Sequence, residues 1–499
     1  MKSKNIIRPL GTFETWNSTG AHMGFYPCVA QTCQYISPES ASLNYCQQAI
    51  KLALRQVALS LPGLQVGIGA SDTNSPYFLR LPSLNLTQHL EWRDLSQTDQ
   101  ATYEDTWLRA LEVQHTTDWQ DLSSKPPWKL TVFQSPASSP GSGFVFDFLF
   151  AAHHALCDGK SMLVFHDNLT AALNKLGNDL SDADDLVILP PSPNLTPSQE
   201  SLINFDISIS YLLKTLWAEF APAWLRGKSS TLPWTGSPID LGKCPSHMRL
   251  ITLPARAVTD LLKACRAHQT TITPLLNALV TVSISRNLPA ANTGGGLIMQ
   301  TVIGTRPFAD KAKIPEGMDL DKSTGDMATG LVHEISPSVV SSLRTSENGK
   351  TTDPDFPIWN LTATLSAELK ARLATLPRDD VTGMLHWVSD WFKRARKQQG
   401  KPREHTWELS NIGSLPPATA NAGAGAGWNI RRAVFSQSCG NYGAAFSVNI
   451  SSVPQGPMVL CLAWGDGVVE SSLMDALKKD LDTWFQNLVD TGNFNAFGP

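Results

Sequence analysis

The 499-residue chain has no stretch of about eighteen consecutive apolar residues, so no segment reads as a transmembrane helix. Its first residues, MKSKNIIRPLG, lack the apolar core of a secretory signal, which predicts a cytoplasmic protein. The eight cysteines, Cys28, Cys33, Cys46, Cys157, Cys244, Cys265, Cys439 and Cys461, follow no repeating spacing, which predicts free thiols in a reducing compartment and no disulfide framework. No basic tract is long enough to track a nucleic-acid backbone, and the net charge of -4 gives none a reason to bind. A serine in the G-x-S-x-G setting of a hydrolase elbow is also missing, so no covalent acyl-serine is expected. With 42% hydrophobic and 17% charged residues, what remains is an ordinary globular chain long enough for two or three domains.

Its most informative stretch runs from Phe144 to Leu173. Phe144 to Phe150 is nearly unbroken hydrophobicity, the mark of a strand buried on both faces. Met162, Phe165, Leu169, Leu173 and Leu176 then recur at three- and four-residue intervals, the stripe of an amphipathic helix. His153 and His154 sit on the turn between them, where a rigid strand presents accessible side chains that can hold or release a proton near neutral pH. Two other readings of the turn fail. A P-loop ending in Gly159, Lys160 and Ser161 needs a glycine where His154 stands, and His153, His154, Cys157, Asp158 and His166 match no common zinc spacing, so no metal is expected.

The spacing His153, His154, Asp158, Gly159 in HHALCDG resembles the HHxxxDG motif of the acyltransferase superfamily of chloramphenicol acetyltransferase, nonribosomal-peptide condensation domains and plant BAHD enzymes. RPLG followed by Glu14 is similar to the opening of its fungal and yeast alcohol O-acetyltransferases. The resemblance implies His154 as general base, His153 as its buried catalytic neighbour, Asp158 as a structural residue turned from substrate, and Gly159 as the residue that lets the chain turn sharply. By position Arg306, in GTRPF, corresponds to the arginine that pairs with the motif aspartate, a bidentate ion pair that would fix the His154 turn. Ser410 and Asn411, in WELSNIG, resemble the element that faces the reacting carbonyl, making them candidates to hold the oxyanion. The DFGWG loop of the plant enzymes is missing.

Elsewhere the pattern predicts a short lead-in and a strand before residue 36, a helix over 43–59, strands at 64–68 and 77–81 completing a first half-sheet, and a hairpin of 125–133 with the central strand through a turn at 135–143. A largely helical segment, 209–225, ends or kinks at Pro222. Thr273 and Pro274 read as the start of a helix running to about Asn287. Strands follow at 297–303, 407–413 and, after a Gly- and Ala-rich loop at 419–427, at 432–437, 444–450 and 458–464; the final helix spans 471–488. The one dense cationic run, 392–403, reads as a solvated helix end or as a surface for a phosphate-bearing donor or an acidic carrier protein.

The expected fold is α/β: two chloramphenicol-acetyltransferase-like lobes, each a mixed sheet flanked by helices, with a channel between them. Residues 1–190 form the first lobe, 191–245 a crossover and 246–499 the second. The resemblance implies a monomeric O-acyltransferase that takes a short acyl group, such as acetyl, from a coenzyme A thioester co-substrate to a hydroxyl of a small, secondary-metabolite-type acceptor. No bound cofactor is expected. The alternatives are a condensation-like enzyme using a carrier-protein thioester or cyclising its substrate, and a non-catalytic small-molecule-binding member.

Overall fold

The computed structural model describes residues 5–136, 143–177, 180, 184–191, 193–220, 232–345, 354–416, 427–438 and 442–497. Two large mixed sheets organise the chain. In the first, Val145–Ala152 is central: it pairs antiparallel with Val29–Ile36 on one side and Trp128–Gln134 on the other, and Leu90–Asp94 adds a parallel edge. From Phe146 onward every residue of the central strand is buried, since it has neighbours on both edges and helices and loops over both faces. Helix Gly159–Lys175 folds back onto this sheet, and its Phe165 ring stacks on Phe150 with centroids 3.5 Å apart.

The second sheet has the order Ser246–Leu253, Met458–Gly465, Ala444–Ser452, His405–Ser414, Leu297–Gly304, Ala328–Ile335. Helix Ile272–Asn287 has no single apolar stripe, and it is buried from Pro274 to Ser285 between this sheet and neighbouring helices, with Asn277, Thr281, Ser283 and Ser285 among its buried residues. The final helix, Ser471–Thr491, buries Leu473, Leu477, Leu481, Trp484 and Leu488 against the same core.

Several expectations need correction. The lead-in is helical: Thr12–His22 starts where Glu14 Oε2 accepts the Gly11 N–H at 2.6 Å while Arg8 grips both Glu14 oxygens at 2.7 Å. Val66–Gly69 and Tyr77–Arg80 do not extend the first sheet; with Ile6–Pro9 they make a separate three-stranded sheet. Helix Ile272–Asn287 begins two residues earlier than its proline suggests, with Thr271 at the N-cap.

The largest departure concerns Asn429–Gln437. Hairpin spacing joins it in sequence to the strands of the second half, yet it pairs antiparallel with Val29–Ile36 and so completes the first sheet. Residues 433–437 are all buried, so their backbone N–H and C=O groups need ladder partners, and Val29–Ile36 supplies them along the open edge of the first sheet. The second half therefore reaches into the first sheet, across the 1–190 boundary. Residues 137–142 of the expected turn, Pro222, residues 419–426 of the expected loop and Cys439 lie outside the described residues.

Candidate active site

Side chains alternate in extended backbone, so His153 and His154 leave the end of the central strand in opposite directions. His153 turns away from the space between the sheets. Its Nδ1 accepts the Ala155 N–H at 3.1 Å, and burial, with His154 beside it, pushes its pKa down to about 3. It is a neutral, fixed ring rather than a proton carrier. His154 lines a cavity of about 420 Å³ that opens between the two sheets.

Two groups meet the His154 ring, Tyr26 and Asp326, and Asn17 orients the second. Tyr26 lies against the imidazole with centroids 4.9 Å apart. Its Nδ1 is 3.3 Å from Asp326 Oδ1 and 3.3 Å from Asn17 Nδ2, and Asn17 Nδ2 donates to Asp326 Oδ2 at 2.6 Å. A carboxylate beside Nδ1 favours the tautomer with its proton there, which leaves the Nε2 lone pair for the cavity. Burial by itself would lower the His154 pKa, but the charge of Asp326, whose Oδ1 lies 3.3 Å from Nδ1, outweighs it and holds the imidazole above its ordinary value.

Asp158 builds the frame behind this ring. As N-cap of Gly159–Lys175 its Oδ1 accepts the Ser161 N–H at 2.9 Å. Arg306 clamps it bidentately, Nη1 to Oδ2 at 2.5 Å and Nη2 to Oδ1 at 3.1 Å, and donates Nε to the Leu320 carbonyl at 3.0 Å. Burial alone would raise the Asp158 pKa, yet the guanidinium and the Ser161 donors hold it below the usual carboxylate range. The same turn also fixes Asp326. The Asp158 N–H donates to the Gly325 carbonyl at 3.0 Å, and the Met327 N–H donates to Asp158 Oδ2 at 3.1 Å, so the residue between them is presented to His154.

Gly159 has a right-handed backbone, and a sharp turn is not its reason. A Cβ there would sit 2.2 Å from Ile412 Cγ2, so the glycine lets the strand of the second sheet pack on the start of the helix. That packing also explains Ser410 and Asn411, which are not among the cavity's lining residues. Their end of the strand runs past the cavity onto this helix, and Asn411 spends its amide on Thr273 Oγ1 at 3.1 Å and on the Gly413 N–H at 3.0 Å. The strand lines the cavity with His405 and Glu408 instead.

Sequence reasoning missed Asn17 and Asp326. Asn17 stands on the helix read as a lead-in, and Asp326 in an irregular segment with no periodicity to flag it. The cationic run does approach the cavity: it begins in helix Trp391–Arg396, where Trp391 and Arg394 line the wall. Among the described residues no group of three or more His, Cys, Asp and Glu is placed to hold a metal, and no helix is long and apolar enough to cross a membrane.

With this geometry in place, comparison with known proteins adds the following. The profile of the alcohol acetyltransferase family matches residues 97–480. A probable alcohol acetyltransferase, FCK4, of Fusarium pseudograminearum is 29% identical over 98% of this chain and 96% of its own. A probable alcohol acetyltransferase, crmB, of Aspergillus fumigatus is 25% identical over 95% of this chain and 98% of its own. Among solved structures, the TRI3 trichothecene 15-O-acetyltransferase of Fusarium sporotrichioides superposes with a TM-score of 0.71 at 14% identity, covering 98% of this chain and 95% of that one. The first condensation domain of the CDA synthetase gives 0.58 at 12% identity, covering 98% and 96%. Both share the two-lobe fold.

Asp158→Asn leaves the Arg306 guanidinium buried without its charge partner. A broken buried pair costs about 3–5 kcal/mol, so thermal denaturation should show a melting temperature lower by several degrees. An unchanged melting temperature would mean that the clamp does not hold the turn.

Proposed function

The chain belongs to the alcohol acetyltransferase family and is an acyltransferase, and from that premise we propose that it carries a short acyl group from coenzyme A to a hydroxyl of a small acceptor, with His154 as general base. The observation that carries the reading is the setting of His154: Nδ1 engaged by Asp326, and the ring facing a cavity walled by both sheets. Nε2 takes the hydroxyl proton as the oxygen bonds to the thioester carbonyl carbon. The tetrahedral species then collapses, the C–S bond breaks, and the departing sulfur takes the proton back from the imidazolium. Products are an ester and a free thiol, and no covalent enzyme intermediate is needed. Asp326 stabilises the imidazolium between the two transfers, and a positioned base of this kind contributes about a hundred- to ten-thousandfold.

The donor side is read from helix Trp391–Arg396. Arg394 reaches the cavity wall and forms no ion pair among the described residues, while Lys393, Arg396 and Lys397 lie exposed beside it. Arg394 in the cavity wall, with exposed cations beside it on the same helix, suits the phosphates of coenzyme A. A carrier-bound phosphopantetheine offers the same anion, and its thioester would be attacked in the same way.

Cells producing the wild-type chain should accumulate an acylated compound that is replaced, with His154→Ala, by a precursor lighter by one acyl increment in the mass profile. Species related by isomerisation or by loss of water would identify a cyclising enzyme instead. For the donor, Arg394→Glu should raise KM for acetyl-CoA about tenfold, or 1.4 kcal/mol, relative to its effect on S-acetyl-N-acetylcysteamine, which has no phosphates. Equal effects on both thioesters would remove Arg394 from phosphate binding.

A further inference from the structure

Glu408 stands in the cavity wall with His154 but has no part in the proton transfers just described. Gln437 Nε2 donates to its Oε1 at 2.9 Å and Gln300 Nε2 to its Oε2 at 3.2 Å. The Tyr26 hydroxyl donates in turn to Gln437 Oε1 at 2.7 Å, so the residue whose ring braces His154 also braces this carboxyl group. Gln437 comes from the first sheet, and Gln300 and Glu408 from adjacent strands of the second. Elements of both lobes thus cooperate to aim one acidic side chain into the cavity.

An acid in this place needs a reason. Trp16, Phe25, Val302, Leu385 and Trp391 make much of the remaining wall apolar, and Glu408 forms no ion pair with Lys or Arg among the described residues. Burial pushes its carboxyl above the usual range although the charge of His154 and the Gln437 amide pull the other way, an electrostatic cost that apolar packing would avoid. Each oxygen has one carboxamide donor, and a carboxylate oxygen can accept two hydrogen bonds, so capacity remains on both. A carboxyl group there is a poor neighbour for phosphates or a developing oxyanion, which points to the acceptor half of the reaction. It attracts O–H and N–H groups. A few placed polar groups in a mostly apolar pocket are what orient a small ligand.

We propose that Glu408 is a specificity-determining residue, selecting acceptors that carry a second hydrogen-bond donor, a hydroxyl or an ammonium group, besides the hydroxyl that is acylated. The inference rests on the assignment of His154 and this cavity to the acceptor reaction. A site built to accept a hydrogen bond discriminates strongly against analogues that lack it, because its polar group is then left without a partner.

The test uses the full chain and three probe series of two to eight carbons: 1-alkanols, α,ω-diols and α,ω-amino alcohols. Binding is followed by tryptophan fluorescence, since Trp16 and Trp391 line the cavity. Glu408→Leu should weaken a diol or amino alcohol of at least one chain length about tenfold more than it weakens the matching alkanol. Glu408→Gln keeps the shape and guards against misfolding: a loss confined to amino alcohols identifies an ammonium group, and a loss shared by diols a hydroxyl. Equal factors for all three series, in both variants, would overturn the proposal and leave Glu408 as a tie between the lobes. Thiol release from acetyl-CoA is read in parallel with His154→Ala. Turnover that survives that substitution refutes the general base, while the binding comparison still decides Glu408.

Discussion

The Asp158 carboxylate is the point on which the molecule turns. One group caps the helix of the first lobe, neutralises Arg306 from the second and accepts the backbone N–H that sets Asp326 beside His154. Removing two charges from water is expensive, so such a pair adds little to stability over apolar packing. Its value is in direction. Bidentate geometry and a saturated carboxylate admit one arrangement of the turn, and catalytic groups must be held in one arrangement to act.

That frame divides the work of the two lobes. The first supplies the histidine on the end of a rigid strand, and the second supplies the carboxylate that tunes it and most of the opposite wall of the cavity. Asn429–Gln437, added to the edge of the first sheet from the second half, fastens the lobes by eight paired residues and carries Gln437 to Glu408. The cavity is therefore a property of the assembled pair, and disruption of either lobe disturbs it.

Much of this was legible in the residues themselves. The apolar run before His153 and the helical stripe after Gly159 indicated the strand and the turn, because each leaves a local pattern, while the ion pair was expected only from the resemblance that matched Arg306 by position. The support of His154 was not legible. Asn17 lies on a helix that buries Thr15, Asn17, Ser18 and Thr19, so its inner face is polar and the usual hydrophobic stripe is missing. Asp326 is brought to the histidine by long-range backbone bonds that no local pattern encodes. Ser410 and Asn411 were expected at the oxyanion from the resemblance of WELSNIG, but Asn411 closes a turn, and His405 and Glu408 are the residues of that strand that meet the cavity.

The central claim is that Asp326 holds His154 as an Nδ1–H imidazole with its Nε2 free to act as base. Nitrogen-15 NMR of histidine-labelled protein, titrated with and without Asp326→Asn, measures both tautomer and pKa. The account predicts protonation at Nδ1 in the neutral ring and a pKa above the ordinary value of about 6.5, so that the base form is lost as pH falls through that raised value. It predicts that Asp326→Asn moves the titration to lower pH. A neutral ring protonated at Nε2, or a pKa that ignores the substitution, would contradict it.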